Sequence, residues 1–276
     1  MRVARLNLFL QLKPMRLVEA GFGSLYLSRW QSSDFHEPRD KGLGVTTPKF
    51  NKMRRKIHKT LNILIAIFFI KFDQFSYRNF TVKVGKLEST SIINHLMEAE
   101  GSIETSILSD LELKGALIVF TDTWFEFFIL APLSGRPYAV AYPQFNTIVI
   151  SPIEKNLNTL KSGEGYTRIL QSVLTHELVH LILKQNYGFF NEYRMAKWAN
   201  EGLAEFVSNS GSLTVRDGKQ VFCNKEELET KAYKYFLYRL AVEYTISQEG
   251  TTVPQLVSFA GSLDSVLDRA RAFYCD

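Results

Sequence analysis

The chain has 276 residues, 46% of them apolar and 22% charged, with a formal net charge of +5. That length holds one domain of about 200 residues with extensions, enough to bury a full core. Residues 1–60 contain 13 of the 33 Lys and Arg but only 4 of the 28 Asp and Glu, so the rest of the chain is net acidic. The basicity therefore belongs to the N-terminal tail, which excludes a nucleic-acid-binding body.

In chain order, residues 1–52 show weak periodicity, scattered Gly and Pro and an Arg-rich start, and they read as a basic, disordered extension. Met53-Arg54-Arg55-Lys56-Ile57-His58-Lys59 then precedes an apolar run from Leu61 to Ile70. A basic cluster ahead of a short apolar run has the form of an export signal, so residues 53–72 read as a signal peptide or a signal anchor. The run is shorter than the roughly 20 apolar residues of a full span. Left uncleaved, residues 57–72 would be the contact with a membrane; either way the basic flank stays inside, and the body is expected to be membrane-anchored or secreted, outside the cytoplasm. The competing reading of the run is a buried core helix. Secretory signals begin at the initiator, so we expect Met53 to start the native protein, and a peptide from residues 1–52 in its mass spectrum would refute this.

The body, residues 80–276, opens with one or two helices between Leu87 and Glu112, interrupted near Gly101. Ala116 to Phe120 is a short apolar strand, Thr121-Asp122 a helix start, and the aromatic stretch Trp124 to Leu130 core. Tyr138–Tyr142 and Thr147–Ser151 read as two strands around a turn at Pro143 to Asn146. Gly163 to Gly165 leads into a helix that contains Thr175-His176-Glu177-Leu178-Val179-His180, an H-E-x-x-H run.

Residues four apart on a helix share a face, so His176 and His180 project toward one point, with Glu177 about 100° round from His176. Leu170, Val173, Leu174, Leu178, Leu181, Ile182 and Leu183 make the helix apolar over most of its circumference, which buries the imidazoles. Buried imidazoles need partners, and a metal ion satisfies both. A second helix from Glu192 to Asn209 carries Asn200-Glu201-Gly202-Leu203-Ala204-Glu205-Phe206. A carboxylate from this helix, such as Glu201, added to the two imidazoles would give a three-ligand site with one position open, the arrangement catalytic zinc needs. Glu205, one turn on, is either an acceptor for an imidazole N–H or a solvated acid, and Asn200 has the same two readings.

Beyond this, Gly211 to Cys223 carries a hairpin signal at Asp217-Gly218. A long helix from Glu226 to about Gln248 is dense in tyrosine, with Tyr233, Tyr235, Tyr238 and Tyr244. Cys223 and Cys275 have no metal-type spacing; they either pair in an oxidising compartment or stay as free thiols.

H-E-x-x-H followed by N-E-G-x-A-E-F resembles the gluzincin metallopeptidases, the superfamily of thermolysin-like, aminopeptidase N-like and peptidase-MA-like proteins. The resemblance implies an α+β, zincin-like domain, rich in helix with a small mixed sheet, behind the N-terminal hydrophobic segment. It implies one Zn2+ per chain on His176, His180 and Glu201, with Glu177 as general base for peptide-bond hydrolysis. It also implies a substrate-binding sheet edge at Asn146 to Ser151, including Ile148 and Ile150, and an oxyanion-assisting tyrosine. Tyr233 suits the position in the helix, as does Tyr235, and Tyr238 suits the spacing to a small residue. The glycine-rich G-x-M-E-N segment by which aminopeptidase N-like enzymes hold a free amine has no counterpart here, so the expected activity is that of an endopeptidase on peptide or protein substrates. The rivals are a zincin-like binding module that keeps the metal without hydrolysis, and a membrane-anchored structural protein without metal.

Overall fold

The computed structural model describes residues 73–275, apart from 86–88, 133, 135, 154–157, 164, 210, 212, 227 and 260. Strand β1 (Asp73–Tyr77) lies ahead of residue 80 and forms an antiparallel pair with β2 (Phe80–Val84). Helix α1 (Ser89–Glu104) follows and buries Ile92, Leu96, Ala99 and Ile103 on one stripe, running through Gly101 without a break. Strand β3 (Ala116–Phe120) pairs parallel to β2. The short helix α2 (Trp124–Leu130) is capped by the Thr123 side chain, which accepts from the Glu126 N–H.

Strand β4 (Ala139–Tyr142), a single 3-10 turn (Pro143–Phe145) and β5 (Thr147–Ile150) complete a mixed sheet in the order β1-β2-β3-β5-β4. β5 runs parallel to β3 on one side and antiparallel to β4 on the other. This corrects the expected substrate edge. Ile148 and Ile150 are fully buried in a strand paired on both sides, and the sheet ends at β4. Ile148 and Ile150 face the main core, whereas Val149 faces a small cluster with Phe127 and Ala131 of the α2 segment, as strand alternation requires. Asn146 is a turn residue at φ 48°, and its side chain accepts from Lys184 Nζ at 3.1 Å.

A two-stranded antiparallel hairpin, β6 (Thr159–Lys161) with β7 (Thr167–Ile169), leads into α3 (Leu170–Tyr187). Residues 172–179 of α3 are all buried, the pattern of a helix enclosed by the core rather than laid on a surface. The second helical stretch is two helices, α4 (Phe189–Arg194) and α5 (Lys197–Ser208), with extended backbone at Met195 and Ala196 between them.

The expected hairpin at Asp217-Gly218 is also corrected. These residues lie in helix α6 (Val215–Cys223), where the Thr214 hydroxyl accepts from the Asp217 N–H as an N-cap. Gly218 is pressed against the Phe236 ring, which leaves no room for a Cβ. Helix α7 (Lys231–Ser247) is capped by Thr230 and packs along α5; a Cβ on Gly202 would run into the Tyr238 carbonyl. Helices α8 (Val253–Val257) and α9 (Leu263–Tyr274) close the chain, and a Cys223–Cys275 disulfide joins α6 to the residue after α9. The architecture is α+β. Among the described residues no helix is long and apolar enough to cross a membrane, and the expected extension at residues 1–52 and signal segment at residues 53–72 lie outside those residues.

Candidate metal centre

One turn of α3 sets the His176 and His180 rings 5.1 Å apart at 76° to each other. Each turns its Nε2 toward Glu201 Oε2 on α5, at 3.4 Å for His176 and 3.9 Å for His180. The facing atoms of the three side chains all lie within 4.8 Å of one another. Ligands about 2.0–2.2 Å from a tetrahedral zinc ion stand about 3.3–3.5 Å apart. Both gaps to Glu201 are within about 0.5 Å of that spacing, and two imidazoles with one carboxylate are a donor set of catalytic zinc. These three residues can hold a metal ion.

The close approach of α5 depends on its sequence. Trp198, Ala199, Leu203, Ala204 and Val207 turn to the core, while the bare backbone of Gly202 lets α7 press against α5. Glu201 and Glu205, one turn apart, then both face α3.

The other nitrogen of each imidazole is also addressed. His176 Nδ1 lies 3.3 Å from Glu205 Oε1, and His180 Nδ1 lies 2.9 Å from Asn200 Oδ1. Asn200 in turn donates from Nδ2 to Glu192 Oε1 at 3.1 Å. Glu205 is buried at 2% exposure and receives both arms of Arg168, Nη1 to Oε1 at 2.9 Å and Nη2 to Oε2 at 3.1 Å. Nδ1 of His180 is hydrogen-bonded and Nδ1 of His176 has the Glu205 carboxylate within 3.3 Å without an aligned hydrogen bond, and on both rings Nε2 is the nitrogen directed at Glu201.

The charges are strongly coupled. Burial disfavours an imidazolium at His176, but hydrogen bonds to Glu201 and Glu205 and the charges of Glu205 and Glu177 push its pKa up to about 10. Burial works against the Glu201 carboxylate, yet the His176 hydrogen bond and the His180, His176 and Lys197 charges hold it down to about 2. Glu205 is likewise buried and likewise lowered, by His176 and Arg168. Glu177 is buried at 9% exposure beside His176.

The tyrosines divide differently from the expectation. Tyr233 is buried and stacked on Phe236, and Tyr238 is buried with its ring 5.8 Å from that of Tyr235. Tyr235 is the one whose phenol is pushed upward by burial and then by the charges of Glu201, Glu205 and Glu177. The structure thus groups His176, Glu177, His180, Asn200, Glu201 and Glu205, and leaves Asn146, Ile148 and Ile150 in turn and core. Arg168 and Glu192 join the site without having been singled out, since no spacing rule marks them; among the tyrosines it is Tyr235, which shares the helical position of Tyr233, whose phenol the site carboxylates reach. No protein-family model matches the chain and no curated protein matches it, so the site is read from its own geometry.

Proposed function

We propose that this protein is a zinc-dependent metallopeptidase, related in its site and its zincin-like α+β domain to the gluzincins. The observation that carries the reading is the convergence of both Nε2 atoms on Glu201 while Asn200 and Glu205 face the two Nδ1 atoms. His176, His180 and Glu201 would hold the ion, which when bound supplies Lewis acidity that polarises a carbonyl and acidifies water near neutral pH. Glu177, next to the first histidine, takes the proton of the attacking water and delivers it to the departing amine. Tyr235, kept protonated by burial and the carboxylates around it, donates its O–H to the developing oxyanion. The outer side of β4 ends the sheet, so an extended peptide would add there, beside α3, with main-chain hydrogen bonds. An open strand edge accepts a chain passing through, which suits endopeptidase action. The Cys223–Cys275 disulfide favours an oxidising compartment, in keeping with a secreted or membrane-anchored protein.

The test is hydrolysis of an unfolded protein substrate by the full chain supplied with zinc, for the wild type and Glu177→Gln. We expect the variant to keep its metal and lose turnover by about 10²–10⁴-fold. Undiminished turnover in Glu177→Gln would contradict the assignment of the base. Zinc binding without hydrolysis in the wild type would favour a binding module.

A further inference from the structure

We infer that Arg168 is a positioning residue of the metal centre, acting through Glu205 to fix the direction of His176. The inference rests on the metal-binding reading above and names a group outside both motifs. Arg168 is the middle residue of β7, eight positions before His176, and its side chain is 8% exposed. Its guanidinium grips both oxygens of Glu205 in a fork, at 2.9 and 3.1 Å, and reaches Ser172 Oγ at 3.4 Å. On its other side it lies 5.7 Å from the ring centre of Tyr138, the residue before β4. A planar donor held by two parallel hydrogen bonds and an aromatic face has little rotational freedom.

The consequence runs through one shared atom. Glu205 Oε1 receives Arg168 Nη1 and also faces His176 Nδ1 at 3.3 Å. Fixing the plane of the carboxylate therefore fixes the oxygen that the otherwise unpartnered His176 Nδ1 faces, so that a small turn of the ring seats its proton there and sets the tilt of the imidazole. Nε2 is then aimed at the position shared with Glu201, before any ion arrives. A carboxylate on a freely rotating side chain could not do this, and Lys at 168 would keep the charge but not the fork.

The position of Arg168 also links two parts of the fold. β7 is joined directly to the start of α3, and Tyr138 stands at the entrance to the edge strand. The guanidinium thus lies between the strand proposed to receive the substrate and the helix that carries the ligands.

The experiment measures the zinc dissociation constant of the full chain by competition with a chromophoric chelator, for the wild type, Arg168→Met, Arg168→Lys, Glu205→Gln and the double variant Arg168→Met/Glu205→Gln. The visible spectrum of the Co2+-substituted forms is recorded in parallel. We expect Arg168→Met to bind zinc on the order of 10–100-fold more weakly, with an altered Co2+ spectrum, and Arg168→Lys to fall between it and the wild type. Because Arg168 acts through Glu205, Arg168→Met should weaken binding less than about twofold further when Glu205→Gln is already present. A merely structural role would lower the melting temperature of the metal-free protein and leave the constant and the spectrum alone. If Arg168→Met fails to fold, Arg168→Lys decides, and an affinity within twofold of the wild type overturns the inference. A folded wild type that binds no zinc overturns the metal-binding reading itself.

Discussion

His176 and His180 sit one helical turn apart on α3, yet the protein holds them by different means. His176 is backed by a buried carboxylate that is itself clamped by a buried guanidinium. His180 is backed by a neutral amide whose own partner, Glu192, is a half-buried residue within the short helix α4. The inner side trades on charge in a place where charge is costly to leave unpaired, and the outer side on ordinary hydrogen bonds. The difference teaches that the two ligands of one motif have unequal strength of support, although their spacing makes them look equivalent.

The strongest way to break the comparison is to remove the inner support. Glu205→Ala leaves Arg168 buried without its partner charge, which costs about 3–5 kcal/mol. Asn200→Ala removes two partly buried hydrogen bonds, one to His180 and one to the Glu192 carboxylate, and should cost about 2 kcal/mol. Urea unfolding of the metal-free variants measures both, and equal losses would remove the asymmetry. A middle-sized effect is expected from Gly202→Val, since the added side chain meets the Tyr238 carbonyl and Val242 and overpacks the α5–α7 contact by about 1–3 kcal/mol. Because α5 carries Asn200, Glu201 and Glu205 together, that change should weaken zinc binding through both histidines and not through one alone.

The smallest effect is a proton count. His176 in the metal-free protein has its pKa pushed up to about 10, above the ordinary 6.5, so its contribution to stability is fully present below 6.5 and lost as pH rises through about 10. Glu201 runs the opposite way: lowered from 4.5 to about 2, it contributes above 4.5, and that contribution is lost as pH falls through about 2. A ligand imidazole must give up its proton, so zinc binding near neutral pH should release about one proton and tighten as pH rises. Calorimetry in two buffers of different ionisation enthalpy counts that proton, and a count near zero would show that His176 is already neutral.

Much of the site was legible because its signals are local. Two histidines four apart with a glutamate beside the first, on a helix apolar over most of its circumference, need only helical geometry to bring both imidazoles to one face. Glu201 and Glu205 lie on the next long helix at i and i+4, so once that helix docks they arrive together. Arg168 could not be found this way. Its partner is 37 residues away, and nothing in Thr167-Arg168-Ile169 distinguishes a buried arginine from a solvated one. The strands around Pro143 were legible as a pair, but which of the two ends the sheet depends on β3 pairing with β5, a non-local choice. Asp217-Gly218 misled for a similar reason. The dipeptide signals a turn between strands, but here Thr214 caps a helix and Gly218 is small because Phe236 lies against it.

The most direct test is the metal content of the purified full chain, by plasma mass spectrometry, for the wild type and Glu201→Ala. We expect one zinc per chain in the wild type and a large loss in the variant, because the carboxylate faces both imidazoles. A correctly folded wild type without metal would contradict the centre altogether, and one zinc retained in Glu201→Ala would contradict Glu201 as its third ligand.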